Sequence, residues 1–95
     1  YDICLGDFDN DMKTDVIAAN RTSTSVTLLR NTTATPGGTV SFARTTIPIF
    51  APSLHVTCGD LNGDGKKDVV IIDDLSTKVI FFRNTSPGPG TITFA

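Results

Sequence analysis

Residues 58–70 read CGDLNGDGKKDVV and place a dense group of acidic side chains directly before an apolar run. Positions 1, 3, 5 and 9 of this loop carry side-chain oxygens, from Asp60, Asn62, Asp64 and Asp68. Lys66 stands at position 7, where its main-chain carbonyl oxygen can serve as a ligand. Calcium takes six to eight oxygen ligands, and alternating side chains of a tightly curved loop converge on one point. Gly65 suits the sharp turn at position 6, so the segment predicts a calcium loop that leads into a strand.

A second segment of the same kind lies at residues 5–17, which read LGDFDNDMKTDVI. Its predicted ligands are the side chains of Asp7, Asp9, Asp11 and Asp15 and the carbonyl oxygen of Lys13. The extra carboxylate should strengthen the attraction for calcium. Asn10 and Met12, however, stand where the other loop has glycines, and a non-glycine residue with a positive φ costs on the order of 1 kcal/mol. Because the two effects oppose each other, the sequence does not rank the two sites.

Two alternatives compete with a calcium loop. An EF-hand needs a bidentate Glu at position 12 and flanking helices, but position 12 after Asp60 is Ile71 and both flanks have strand composition. A hairpin turn rich in Asp, Asn and Gly can also form without a metal. Two copies in register make the metal-free turn the weaker interpretation. We therefore expect two calcium ions, one in each loop.

The chain is a tandem repeat. When the sequence is shifted by 53 positions, VTLLRNT aligns with VIFFRNT, and after one deletion GTVSFA aligns with GTITFA. Each copy contains four short strand-like segments separated by turns. The predicted strands cover residues 3–6, 15–19, 26–30 and 39–43 in the first copy, and 56–59, 68–72, 79–83 and 91–95 in the second. Four strands repeated about every 50 residues are typical of a β-propeller blade.

We therefore predict an all-β fold made of two four-stranded antiparallel blades. The first blade covers residues 1–43, an inter-blade linker covers 44–55, and the second blade covers 56–95. Runs such as DVVII and VIFF are apolar on both faces, as expected of strands that lie between neighbouring blades. An eight-stranded β-sandwich fits the strand spacing as well and remains the alternative.

The composition agrees with an all-β fold and argues against two classes of partner. The chain has 95 residues, no Glu, Gln or Trp, and 10 acidic residues that are all Asp. Glu and Gln favour helices, whereas the plentiful Thr, Val and Ile favour strands. A formal net charge of −2 gives no basic surface for nucleic acid. No apolar run approaches the ~20 residues that a membrane-spanning helix needs.

The segments GDFDNDMKTDVIAAN and GDLNGDGKKDVVIID resemble FG-GAP/VCBS repeats, the blades of integrin-α-like β-propellers. The resemblance covers both copies, and it implies a propeller fold and bound calcium while leaving the ligand open. Members of the family include adhesion subunits, a fungal lectin and accessory propellers of polysaccharide lyases. The signatures that name the family are poorly kept, with Phe42-Ala43 and Phe94-Ala95 in place of Phe-Gly and only Ala51-Pro52 left of Gly-Ala-Pro. This departure is typical of the bacterial VCBS-like branch.

The two cysteines are not equivalent in the repeat, because Cys4 aligns with Thr57 and Cys58 aligns with Leu5. Their side chains therefore point to opposite faces of their blades. Because neighbouring blades stack face to face, this opposite parity of the two positions places both cysteines in the interface between the blades or places both outside it. Two small buried hydrophobic residues are the simpler interpretation, and a disulfide is the alternative.

Three further polar residues have simple structural interpretations. His55 is the only histidine and has no other metal-ligating residue at a suitable spacing, so we expect it to be structural. Asp73 and Asp74 form an acidic pair after a predicted strand, where turn acids are common. No complementary base or nucleophile accompanies them. We therefore expect that the chain is not an enzyme.

Together these features predict a non-catalytic calcium-binding module of a secreted or cell-surface protein, which binds a protein or glycan ligand or mediates adhesion. The alternatives are an accessory propeller of a polysaccharide-degrading enzyme and a structural spacer or self-assembling filament subunit. A closed propeller needs four to eight blades, so two blades need neighbours. We expect these neighbours to be further blades of a longer chain, with other copies of this chain as the second choice.

Overall fold

The computed structural model describes residues 2–20, 24–49, 53–73 and 79–94, except the side chain of Leu54. These residues form seven strands: β1 (Asp2–Gly6), β2 (Asp15–Ala19), β3 (Ser25–Asn31), β4 (Phe42–Pro48), β5 (Ser53–Gly59), β6 (Asp68–Asp73) and β7 (Val79–Phe82). The strands build two antiparallel sheets, one in the order β1-β2-β3-β4 and one in the order β5-β6-β7. The predicted all-β fold class is confirmed.

Each sheet is a meander whose first hairpin carries one of the acidic loops. Gly6 at the end of β1 pairs with Asp15 at the start of β2, and Gly59 pairs with Asp68 in the same way. We call residues 7–15 the first Asp loop and residues 60–68 the second Asp loop. Both loops are therefore anchored at their two ends by ladder pairs, which fixes the positions of the side chains between them.

The fourth strand of the first copy begins later than the sequence predicts. The prediction places it at residues 39–43, whereas β4 runs from Phe42 to Pro48. The Thr32 N–H donates to the Ser41 carbonyl oxygen at 2.9 Å, and Asn31 pairs with Phe42. Because this wide hairpin sets the register of the ladder, the residues before Phe42 belong to the turn region and the β-branched run after it forms the strand.

The second copy does not form the predicted fourth strand at residues 91–95. Among the described residues of this segment, Thr91 and Phe94 make only isolated bridges, to Gly88 and Asn84. Phe94 is the counterpart of Phe42, the first residue of β4, and its only ladder contact among the described residues is the bridge to Asn84. The prediction of two four-stranded sheets, and the eight strands of the sandwich alternative, are corrected to sheets of four and three strands in the described parts of the chain.

The predicted inter-blade linker at residues 44–55 is mostly strand. β4 extends into it as far as Pro48, and β5 begins at Ser53 with an irregular register between Ser53 and His55. The β-branched residues Thr46 and Ile47 suit the pleated backbone of β4. The limits of the two blades at residues 43 and 56 stay a prediction.

One hydrophobic core joins the two sheets. Its buried apolar side chains are Cys4, Phe8, Ile17, Ala19, Val26, Leu28, Val56, Val69 and Ile71. A disulfide joins Cys4 of β1 to Cys58 of β5, with the two Cα atoms 6.2 Å apart. The opposite parity of the two cysteines therefore brings both into the shared interface, and the interpretation of two unpaired buried cysteines is wrong.

The two copies present opposite faces to this core. Ile17 of β2 is buried, but its counterpart Val70 in β6 is half-buried and, by strand alternation, lies on the opposite side of the second sheet from Val69 and Ile71. The core residues of β6 are Val69 and Ile71, and their counterparts Val16 and Ala18 lie on the outer side of the first sheet. A symmetric face-to-face pair would use the same residues of both copies. The copies are thus arranged head to tail, as successive members of a stack.

Candidate metal sites

The main chain of the two Asp loops follows the same path at the turn. Positions 4 and 6 both have a positive φ, which is 58° and 68° at Asn10 and Met12 and 77° and 83° at Gly63 and Gly65. Glycine adopts this conformation without steric cost, whereas other residues are strained in it. The strain at positions 4 and 6 of the first loop, expected from the sequence, is therefore present.

The first aspartate of each loop organises the turn by accepting hydrogen bonds from main-chain N–H groups. Asp7 accepts from Asp11 at 3.1 Å and from Met12 at 2.7 Å. Asp60 accepts from the N–H groups of Gly63 and Gly65, both at 2.8 Å. Hydrogen bonds of this kind favour the ionised carboxylate. The N–H of Gly65 is the main cause that lowers the pKa of Asp60.

The last aspartate of each loop is fully buried and ties the loop to the third strand region of its sheet. Asp15 accepts hydrogen bonds from the Phe8 N–H at 3.0 Å and from the Asn31 N–H at 2.7 Å. Asp68 is bonded by Asn84 N–H at 2.8 Å, the counterpart of the bond from Asn31. Asp68 also accepts a hydrogen bond from the Leu61 N–H at 3.0 Å, the counterpart of the bond from Phe8, so equivalent main-chain donors hold both carboxylates.

The predicted ligands converge in each loop. In the first loop one carboxylate oxygen from each member of the set lies within 4.8 Å of the others, and the set is Asp7, Asp9, Asp11 and Asp15. The second loop brings together Asp60, Asp64 and Asp68 in the same way. Asn62, at position 3, accepts a hydrogen bond from the Asp64 N–H at 3.4 Å. Such groups of oxygen donors suit a hard divalent cation.

The two lysines at position 7 were predicted to supply carbonyl oxygens. The Lys13 N–H donates to Asp11 Oδ1 and the Lys66 N–H donates to Asp64 Oδ1, each at 2.9 Å. These bonds place the two main-chain segments next to the carboxylate clusters. The roles of the Lys13 and Lys66 carbonyl oxygens as ligands stay a prediction.

Asp9 is the residue that distinguishes an ion site from an acidic turn. Its side chain is completely buried, and its Oδ2 atom accepts a hydrogen bond from the Gly90 N–H at 2.9 Å. Its Oδ1 atom is buried with no hydrogen-bond partner among the described residues. A buried carboxylate oxygen without a partner is costly, and a cation among the four carboxylates would satisfy it. The residues of the first loop therefore fit a hard divalent cation.

Burial also raises the pKa of two carboxyl groups in the first Asp loop. Desolvation is the largest cause for Asp9 and for Asp15, and the negative charge of Asp11 adds to it in both cases. A raised carboxyl pKa means that the ionised form is disfavoured in the folded protein. Without a metal the first loop is therefore electrostatically strained, and a divalent cation would relieve this strain.

The second copy covers the first Asp loop. The Asn84 side-chain amide donates to the Phe8 carbonyl oxygen at 2.8 Å, and the ring of Phe94 meets the ring of Phe8 edge-on with centroids 5.9 Å apart. The sequence-based predictions missed Asn84, Gly90 and Phe94 as neighbours of this site. Their one signal in the sequence is that Asn84 and Phe94 have counterparts in the first copy, Asn31 and Phe42.

Two other polar groups remain outside the candidate sites. His55 is exposed, and its Nδ1 atom lies 3.5 Å from Asp2 Oδ2. Asp2 also accepts a hydrogen bond from the Val56 N–H, which is the main cause that lowers the pKa of its carboxyl group. Asp73 is buried in β6, and Asp74 lies outside the described residues.

No helix in the described parts of the chain could span a membrane.

Residues 7–71 match the sequence model of a protein family described as FG-GAP-like repeat. The match begins at the first residue of the first Asp loop and ends within β6, so it contains both candidate metal sites. No curated protein and no solved structure matches the chain significantly.

Proposed function

The chain belongs to the FG-GAP-like repeat family, and on that premise we propose that it is a non-catalytic, calcium-binding pair of β-propeller blades. The observation that carries the calcium proposal is the buried, unpartnered Oδ1 atom of Asp9 within a cluster of four carboxylates. The head-to-tail stacking of the two sheets supports the propeller proposal, because successive blades of a propeller are related in this way.

Calcium would be held in the first loop by Asp7, Asp9, Asp11, Asp15 and the Lys13 carbonyl oxygen. In the second loop it would be held by Asp60, Asn62, Asp64, Asp68 and the Lys66 carbonyl oxygen. A bound cation supplies positive charge that offsets the mutual repulsion of the carboxylates. The protein itself supplies the turn geometry, through the N–H groups that hold the first and last aspartates of each loop.

The module acts in an oxidising environment, at a cell surface or in the extracellular medium, and binds a protein or glycan ligand. The disulfide between Cys4 and Cys58 supports this location, because disulfides persist mainly outside reducing compartments. Membership of the repeat family supports a binding role rather than a catalytic one. A glycan array probed in calcium and in chelator tests the ligand, and release of sugars from a polysaccharide by the purified chain would overturn the non-catalytic role.

Calorimetric titration of the metal-free protein with calcium tests the metal sites directly. We expect two ions per chain for the wild type and one ion for each of the variants Asp11→Ala and Asp64→Ala. Asp2→Ala is the matched control, since Asp2 lies outside both Asp loops, and it should retain two ions even if the protein becomes less stable. Binding to the folded state alone stabilises by about 2.7 kcal/mol at a hundredfold excess of calcium over Kd, so a chelator should lower Tm. No binding heat together with a Tm that chelator does not change would refute the calcium proposal.

A further inference from the structure

Two surfaces meet at the first Asp loop, and each of them has a counterpart in the other copy. Both counterparts are exposed. We call residues 84–94 the second hairpin segment and residues 31–42 the first hairpin segment. The second hairpin segment reaches the first Asp loop through the Asn84 amide, the Gly90 N–H and the Phe94 ring. The same repeat relation connects the first hairpin segment with the second Asp loop.

The first hairpin segment has the same internal structure as the one that is docked. The Thr32 N–H donates to the Ser41 carbonyl oxygen at 2.9 Å, and the Thr85 N–H donates to the Thr93 carbonyl oxygen at 2.8 Å. The hydroxyl groups of the same two pairs meet at 2.8 and 2.9 Å. The undocked first hairpin segment thus has the same internal hydrogen bonds as the docked second one. It is therefore preorganised to make the contact that the second one makes.

The first hairpin segment is largely exposed, and so is the aromatic ring whose counterpart docks. Residues 34–46 are all exposed, and Phe42 is 41% exposed, whereas Phe94 is packed against the core. Asn31 donates one amide hydrogen to the Thr14 carbonyl oxygen at 3.0 Å. A side-chain amide carries two hydrogens, so Asn31 can serve a second acceptor as well.

The second Asp loop exposes the surface that is buried on the first. Leu61 is 57% exposed, while its counterpart Phe8 is completely buried under Phe94 and Asn84. Asn62 is exposed as well, while its counterpart Asp9 is buried.

The outer faces of the two sheets continue these two surfaces. Val79 and Phe81 are exposed on β7, in the positions of the core residues Val26 and Leu28 of the first sheet. On the other end of the molecule, β1 exposes Ile3, the counterpart of the core residue Val56. One end of the molecule therefore carries the counterpart of one surface of the internal interface, and the other end carries the counterpart of the other surface.

We propose that a second copy of this chain docks on the second Asp loop, head to tail, through its first hairpin segment and the outer face of its first sheet. In this contact the Asn31 amide donates to the Leu61 carbonyl oxygen, and the Phe42 ring covers the Leu61 side chain. The partner is another copy because the internal interface joins the counterparts of these two surfaces, and a second copy carries both surfaces in the matching arrangement. Such a heterologous contact leaves one free end of each kind after every addition, so it forms rings or filaments rather than closed dimers.

Sedimentation velocity over a dilution series, in calcium and in metal-free buffer, tests this proposal. We expect the wild type to form oligomers, and expect Phe42→Asp and Leu61→Asp to weaken self-association by about tenfold or more, since each places a charge in the centre of the contact. Ala34→Asp is the matched control, because its counterpart Pro87 stays exposed in the docked hairpin segment. It should assemble like the wild type.

Mixing the two variants gives the decisive result. Phe42→Asp retains an intact second Asp loop, and Leu61→Asp retains an intact first hairpin segment, so the mixture should form a one-to-one heterodimer and nothing larger. Val40→Asp and Val79→Asp form a second pair on the same two surfaces if either variant fails to fold. A wild type that stays monomeric in both buffers, or variants that do not complement each other, would overturn the proposal. The readout is mass alone, so it does not depend on calcium binding.

Discussion

Position 3 is the residue at which the two Asp loops differ most in physical terms. Asp9 is buried and ionisable, whereas Asn62 is exposed and neutral. Burial raises the pKa of Asp9, and a carboxyl group with a raised pKa contributes less to stability as the pH rises through that value. At neutral pH without a metal, Asp9 therefore destabilises the folded protein, whereas in the proposed calcium-bound state its unpartnered oxygen would be a ligand.

Asp9→Asn should have opposite effects in the two conditions. In chelator at neutral pH we expect a higher Tm, equivalent to about 1 kcal/mol, because an amide cannot ionise and can donate to the neighbouring carboxylates. In calcium we expect weaker binding to the first loop, because one charged ligand is lost. Thermal melts in chelator and calorimetric titrations measure the two effects. The reverse change Asn62→Asp is the control, and it should leave Tm in chelator nearly unchanged because that position is exposed.

At the scale of single elements, the Asp loops depend on backbone conformations that only some residues adopt without strain. Gly65 has a φ of 83°, and an added Cβ would meet nothing within 4 Å, so any cost of substitution there is conformational. Gly59 lies nearby at the end of β5, also with open space around it, and is not among the residues with a positive φ. Because an added Cβ is not crowded at either glycine, a comparison of the two isolates the effect of the positive φ.

Gly65→Ala should lower the free energy of unfolding by about 1 kcal/mol, because alanine is strained at a positive φ. Gly59→Ala should change it much less, and calcium binding at the second loop should weaken only in Gly65→Ala. Urea denaturation of both variants, with and without calcium, measures these differences. Equal effects of the two substitutions would show that the turn conformation does not limit the second loop.

The elements that the sequence predicts well are those whose ends are fixed by local chemistry. β2 matches its predicted range because Asp15 both closes the Asp loop and begins the strand. The sequence predicts β4 too early in the chain. Its register is set by the hydrogen bond between Thr32 and Ser41 across the hairpin, which sequence spacing does not reveal. The convergence of the aspartates followed from alternation alone, whereas the cover on Asp9 comes from residue Gly90, far along the chain.

At the scale of the whole molecule, the two sheets are joined both by the core and by the disulfide. Cys4 and Cys58 are separated by 54 positions in the sequence, so the bond constrains a large part of the unfolded chain. A disulfide that closes a long loop typically stabilises a protein by about 2–4 kcal/mol. The sequence shows that the two cysteines point to opposite faces of their copies. It does not show which faces of the two sheets meet in the core, so it cannot decide whether the cysteines lie in the interface between the sheets or outside it.

Reduction of this disulfide should lower the free energy of unfolding by about 2–4 kcal/mol, and the double variant Cys4→Ala, Cys58→Ala should show a similar loss without reductant. Chemical denaturation of both forms, with thiol labelling to confirm the redox state, measures the effect. The double variant should not respond further to reductant. A wild type whose stability is the same in oxidising and reducing buffers would contradict the prediction.

The disulfide also determines how the chain would respond to a pulling force. Tension applied at the two termini passes directly from Cys4 to Cys58 through the covalent bond, so the residues between them stay out of the load path even after the first sheet has lost its structure. With a sequence separation of 54 between the cysteines, roughly 180 Å of contour length at about 3.4 Å per residue is withheld from extension. A reducing agent would release that length in one step, so the redox state of the surroundings would set how far the loaded chain can extend.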